Sequence, residues 1–550
     1  MYINQPIKFS LLAAGFIACS LFSQAQDTTK KKTIDITSTF KPVLREAVKL
    51  TFNAAPPAID TSKPRLNYTI PQQNLLLGYQ PMGLNPVALQ IDSLSSWQSS
   101  NYIKVGVGNV HIPFIQAGFS FGDGKNSFFN IFAHQYNSKG KLPFQKNNST
   151  GVTAAGTMKT AANLEWNGNL GFKADDYFFY GYRPTTLAFS KEDLRQRWQV
   201  FSGRLSLRNM SPTEFGLTYN PNIKVSVVGN QNDGRKATEA NTVVNLPLTK
   251  TVGKVFGVNL GLTADLTNYR PTGKSTIQNN LFYVSPSVQF KTPNFYITAG
   301  AIPSWDNGNF KLLPNIMADV TTNNQAFTIQ AGWIGYYNKG SYERFASINP
   351  WIAQPEQLLN TRVEEKYAGF KGSVLNHITY SAKVGFVQYR NMPLFVNDSI
   401  DGKTFYTEYS SSIDALQMHG EVAYVKGEDF NLSAGVTINN FSKIRDHQRA
   451  WGLLPFELNS SLRWQILKDF YLKSDLYFWD GAAYRRDGDG FKGETGFDFS
   501  AGLEFKITRQ FNLWLQMNNI FNNKYERWNQ YEVYGFNILG GVVFNFNQKK

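Results

Sequence analysis

From Asn101 to the end of the chain, apolar and polar residues alternate one by one in stretch after stretch, and no apolar run there is long enough to form a membrane helix. Phe430, Leu432, Ala434, Val436 and Ile438 interleave with Asn431, Ser433, Gly435, Thr437 and Asn439. Phe497, Phe499, Ala501, Leu503 and Phe505 interleave with Asp498, Ser500, Gly502, Glu504 and Lys506. Phe511, Leu513, Leu515 and Met517 do so with Asn512, Trp514, Gln516 and Asn518. A period of two sends successive side chains to opposite faces of a strand, so this region is read as all-β, each strand with one greasy and one wet face.

A soluble sandwich alternates too, so the connections decide. Tight turns are read at Asp123 to Asn126, Ser211-Pro212, Thr292-Pro293, Thr321 to Asn324, Gly427-Glu428, Leu467-Lys468 and Thr508-Arg509. Between them lie longer polar loops at 138–149, 183–195, 230–237, 338–361, 391–409, 443–452 and 483–493. Short and long connections in alternation are the pattern of a transmembrane antiparallel β-barrel, with turns at the periplasmic side and loops outside. The spacing predicts about 22 strands between Asn101 and Phe546, with roughly 18 to 24 compatible. Phe430, Phe470 and Phe511 each open a strand after a polar turn. A propeller would pack four short strands into that spacing rather than two long ones. The recurring ring fits an aromatic girdle at the membrane interface.

Ahead of the barrel, Lys8 precedes an apolar stretch from Phe9 to Phe22 and then Ser23-Gln24-Ala25-Gln26, which predicts a cleavable signal peptide over 1–25. The single cysteine, Cys19, lies inside it, so the mature chain is expected to carry no disulfide. Residues 26–100 are polar and punctuated by Pro42, Pro56, Pro57, Pro64, Pro71, Pro81 and Pro86, yet they hold apolar patches such as Leu75-Leu76-Leu77. They are read as an extended periplasmic or luminal arm that docks.

Asn518 to Tyr525, followed by the final strand Phe536 to Phe546, resembles the closing hairpin of TonB-dependent receptor barrels. The stretch Asn360 to Gly372, with Asn391-Met392-Pro393-Leu394-Phe395, resembles the receptor-like barrels of Bacteroidetes envelopes. The resemblance covers the barrel and departs at Tyr534-Gly535-Phe536, where many such receptors carry Pro-Gly-Arg. The region before Asn101 is shorter than the family's globular plug, so a reduced plug is expected. The resemblance implies outer-membrane transport and gives Thr33-Ile34-Asp35-Ile36-Thr37 the role of a strand added to a TonB-type energy-coupling partner.

The formal charge of +15 comes from 55 Lys and Arg against 40 Asp and Glu, scattered without the dense patch that nucleic-acid binding needs. His111, His134, His377, His419 and His447 are dispersed, no metal-ligand spacing occurs, and no catalytic or cofactor motif is found. The chain is therefore not read as an enzyme. Ligand-facing loops are expected to expose Tyr337, Tyr342 and Trp351, then Arg445, Arg449 and Trp451, then Tyr484, Arg485 and Arg486. Rings and guanidinium groups suit glycans, peptides or the acidic headgroups of lipopolysaccharide and other outer-membrane lipid. Two functions follow as expectations. One is a receptor-like barrel that binds or admits an extracellular solute. The other is a structural platform that docks another envelope protein.

Overall fold

The computed structural model describes residues 101–231, 235–322, 327–374, 377–427, 429–486 and 489–546. The leader, the arm and the coupling segment Thr33 to Thr37 lie outside these residues.

One antiparallel sheet closes on itself. Asn101–Gly108 pairs with Asn537–Phe546, Asn101 opposite Phe546 and Gly108 opposite Leu539, so no edge strand is left unpaired. Leu217–Tyr219 and Asn222–Asn230 are two pieces of one wall strand, because both pair with Ala237–Val252 on either side of Pro221, which has no N–H to donate. Counted so, the barrel has 22 strands. Between Asn101 and Phe546 the expected fold class is therefore the observed one.

Burial runs opposite to that of a soluble protein. Along Asn101–Gly108, Ile103, Val105 and Val107 are exposed on the outside while Lys104, of the opposite parity, is buried on the inside. The same holds around the wall, with Leu170, Phe172, Phe201, Leu205, Phe282, Phe310 and Leu312 among the exposed side chains. Exposed apolar surface on this scale is stable only against hydrocarbon. Phe295 and Trp305 lie ten residues apart on one outward face. At about 3.3 Å per residue and a tilt of about 40° they mark a band roughly 25 Å tall, the height of an outer-membrane barrel's apolar belt.

Strands open on Phe430, Phe470 and Phe511, as the repeat predicts, and also on Phe256, Phe295 and Phe327. Several of these rings face a ring on the next strand: Phe256 and Phe290 at 5.3 Å, Phe511 and Phe544 at 5.0 Å. The turns below them are tight. At 122–126, Asp123 Oδ1 accepts from the backbone N–H of Lys125, Asn126 and Ser127.

The other face carries the longer connections, at 179–194, 339–360, 391–412, 443–455, 480–495 and 519–536, and is the outer face by the rule for such barrels. Two outer connections depart from the expected alternation in length, 109–110 and 307–308. At the second, Asn307 and Gly308 both adopt positive φ (49° and 86°), the two-residue Asn-Gly hairpin that matches strand twist.

Candidate functional site

The outer loops pack on one another into a dome over the mouth of the barrel. Loop 339–360 carries the helix Tyr342–Ile348, with Ser341 as N-cap accepting from Arg344 N–H, and this helix buries Tyr342, Phe345 and Ile348. Inward-facing wall residues hold the loop. Glu239 accepts from the N–H of Tyr342 (2.6 Å) and of Glu343 (3.1 Å), taking up donors that a helix start leaves unpaired. Asn230 donates to the Tyr342 hydroxyl at 2.8 Å, Ser226 to Glu343 at 2.7 Å, and the Trp198 indole to Pro350 O at 3.2 Å. Burial lifts the Glu239 carboxyl to about 7, outweighing the two N–H bonds that favour its charged form. Glu239 stands 13 residues from Val252 at the turn end of its strand, roughly 33 Å up the normal and so above the apolar belt.

The centre of the dome is aromatic. Trp351 stacks on Tyr531 with centroids 3.9 Å apart, and its indole donates to Phe178 O at 3.0 Å. Trp528 packs edge-on against Phe395 at 5.3 Å and Phe405 at 5.4 Å, the latter two from the hairpin of Met392–Asn397 and Phe405–Ser410. Loop 519–536 ties the rest together. Tyr180 donates to Glu532 O, Arg527 to Gly452 O, Tyr484 to Arg527 O and Tyr531 to Lys403 O. Each buried hydroxyl or guanidinium reaches a backbone carbonyl of another loop, so the loops are mutually dependent.

This corrects the expectation that the loop aromatics stand exposed. Tyr342, Trp451 and Tyr484 are buried, and Trp351 and Tyr337 are half-buried. Large rings lose more by facing water than by packing, and six loops converging on one mouth offer them a shared interior. Arg445 and Arg449 do remain exposed. Arg485 forms a double hydrogen bond with Glu408, at 2.5 Å and 3.2 Å. The side chain of Arg486 lies outside the described residues. Loop 519–536, read from sequence as part of a closing hairpin, contributes Trp528 and Tyr531 to the dome; the dense run Tyr525, Trp528, Tyr531, Tyr534 was the available signal.

Under the dome the wall is polar and carries both signs of charge. Lys383 pairs with buried Glu365 at 2.7 Å, Lys371 with Asp319 at 2.7 Å and Arg208 with Glu165 at 2.8 Å. The Lys104 ammonium sits 3.9 Å over the Trp514 ring. His134 lies on this wall at 3.3 Å from Ser149, and His419 lies between Thr437 and Glu421, both at 2.9 Å. Among the described residues no three His, Cys, Asp or Glu side chains gather where a metal would need them. On the outer surface a cleft of about 630 Å³ opens between Pro271, Lys274, Ile277 and Glu356, with Lys274 and Glu356 at 3.4 Å across it.

A closed wall of 22 strands, apolar outside and polar within, defines an outer-membrane-type β-barrel with a receptor-like fold. Among solved structures it is similar to the FrpB iron transporter of Neisseria meningitidis, at 10% identity over 82% of each chain and a TM-score of 0.63. It is also similar to the siderophore receptor PirA of Acinetobacter baumannii, at 8% identity over 82% of this chain and 80% of that one, TM-score 0.63. The ferric enterobactin receptor PfeA of Pseudomonas aeruginosa is a third, at 11% identity, 82% and 80% coverage and a TM-score of 0.60. No protein-family model and no curated protein sequence matches the chain.

Proposed function

We propose that this protein is an outer-membrane receptor-like barrel that binds an extracellular solute at its loop dome and admits it through the polar lumen. The observation that carries the reading is the wide wall with a polar interior beneath packed outer loops. The shared fold with an iron transporter and siderophore receptors supports it. The cleft beside Lys274 and the exposed Arg445 and Arg449 are the places where a solute would first touch. Thr33 to Thr37 would add as a strand to a TonB-type coupling protein, following export by a leader ending at Ala25 and docking of arm 26–100. The barrel is of the Bacteroidetes type in this reading, and it performs no chemical step.

The test is uptake by cells with and without the protein, with ferric chelates as the first solutes tried. Cells lacking it are expected to lose uptake of one solute, and crosslinks from Ile34 or Ile36 should reach a periplasmic protein. Normal uptake of every solute, together with a stoichiometric copurifying partner, would favour the second reading, a platform that docks another envelope protein. The burial of Tyr342, Trp451 and Tyr484 supports that alternative, because a dome locked by its own rings presents a firm surface.

A further inference from the structure

Four neighbouring strands, Ser127–Lys139, Lys146–Lys159, Leu164–Phe178 and Arg195–Asn209, carry an unusual sequence of side chains up their outer face. Within the belt that face exposes Phe129, Ile131, Val152, Leu170, Phe172, Phe201 and Leu205. Toward the loops the same face turns to Gln135, Thr150 and Gln199, then to Asn137, Asn148, Asp176 and Arg197, and ends in Lys139, Lys146 and Arg195. Lys139 is the direct cross-strand partner of Lys146, and Phe178 that of Arg195. Lys191 stands exposed at the head of the short helix leading into the fourth strand.

The charges here cancel only in part, because Glu192 and Asp193 beside Lys191 on the short helix, together with Asp176, set three carboxylates against five cations. Among the described residues Asp176 is the one carboxylate in ion-pair contact with any of these five cations, and it is shared by Arg195 (3.1 Å) and Arg197 (2.8 Å). Its oxygens take up Nε and Nη2 of both guanidinium groups. No bond to either Nη1 is present among the described residues, so each fork keeps donors for a further anion. The Lys146 ammonium lies 4.4 Å over the Phe178 ring, a contact that holds it against the wall. Partial burial, and the charges of Lys191, Lys139 and Arg195, press its pKa below the usual lysine range, which an added negative charge would relieve. Another part of the rim differs: there Glu364 takes the Trp333 indole at 2.8 Å beside Lys366, and Asp414 pairs with Lys443.

The height of the patch selects its ligand. From Phe201 to Arg197 the strand climbs four residues, roughly 13 Å along its length and about 10 Å along the normal at 40° tilt. Long cationic side chains reach back toward the interface from that height and meet the headgroup layer. We propose that Lys139, Lys146, Lys191, Arg195 and Arg197 form a binding site for the phosphorylated headgroup of an outer-leaflet lipid, seated with its acyl chains on Phe172, Phe201 and Leu205. The site is separate from the solute path and stands whether or not the barrel transports anything.

The test uses the full chain, folded in a neutral detergent and titrated with a bis-phosphorylated acylated glucosamine disaccharide, with the same lipid stripped of phosphate, and with inorganic phosphate. The variant K139Q/K146Q/K191Q leaves the Asp176 pairs intact. It should bind the phosphorylated lipid roughly tenfold or more weakly, since each interfacial cation adds appreciably to anionic lipid binding. Its mobility on an unheated gel, which reports the folded barrel, should not change. The turn-face variant K250Q/K254Q/K291Q should bind as the unmodified protein does. Equal loss in both variants would overturn the site, and so would equal binding of the dephosphorylated lipid. Inorganic phosphate competing at the lipid's own concentration would overturn the lipid assignment in favour of a free anion.

Discussion

On the belt, Leu205 shows 48% of its surface and is stable there, whereas in the dome Phe405, a residue of similar greasiness, shows none. The backbone is β in both places. What differs is the medium outside, hydrocarbon for one and water for the other, so the same side-chain chemistry is sorted outward in the belt and inward in the dome. The reverse sorting of polar groups follows: Lys104 and its cross-strand partner Gln116 turn into the barrel, while Arg445 and Arg449 face out from the loops.

That contrast can be broken most sharply at the centre of the dome. Phe405→Ala removes a fully buried ring from between Trp528 and Tyr531 and should cost the dome about 3–5 kcal/mol. Hydrogen exchange of residues 392–410 should accelerate while the barrel strands keep their protection; uniform loosening of both would show that dome and wall unfold as one unit.

Next comes a pair of charge insertions at sites of comparable or greater exposure. Leu205→Arg, in the belt, should cost about 2–4 kcal/mol in bilayer unfolding experiments. Ile400→Arg, at a loop tip where the side chain is 89% exposed, should stay within about 0.5 kcal/mol. Equal costs would mean that Leu205 does not face lipid.

A smaller effect is expected from pH at Glu239. Its folded pKa is raised to about 7, so protonation favours the seated loop. That contribution is complete below the ordinary carboxylate value of about 4.3 and is lost as pH rises through about 7, at no more than about 1.4 kcal/mol per pH unit. Protection at Tyr342–Ile348, taken relative to the intrinsic base-catalysed exchange rate, should therefore fall from pH 5 to 7, and Glu239→Gln should flatten that profile. Protection that rises from pH 5 to 7 would assign the latch to another group.

The smallest change should come from Arg485→Ala. Both side chains of the Arg485–Glu408 pair keep about a third of their surface in water, which limits its worth to roughly 0.2–1 kcal/mol in thermal unfolding of the loops.

How much was readable in advance follows the same division. Alternation after Asn101 gave the strands, their facing and, through the spacing of turns, their number, because a strand's period is local and a belt of fixed height needs strands of similar length. Asn307-Gly308 is a turn signal legible in the sequence, since both positions need positive φ. The dome could not be read the same way. Nothing near Trp351 in sequence announces Tyr531, 180 residues on, and a ring in a polar loop looks the same whether it will meet water or another ring.

By itself, then, the order of residues determined a transmembrane wall, which side of each strand meets lipid, and the aromatic ends of the hairpins. Only the closed tertiary structure decided that six distant loops share one interior, that Glu239 sits beneath a helix start, and that four outward cations gather with Lys191 at one sector of the rim. The reason is physical: periodicity is written residue by residue, whereas burial of a loop depends on which other loops the circumference of the barrel brings within reach.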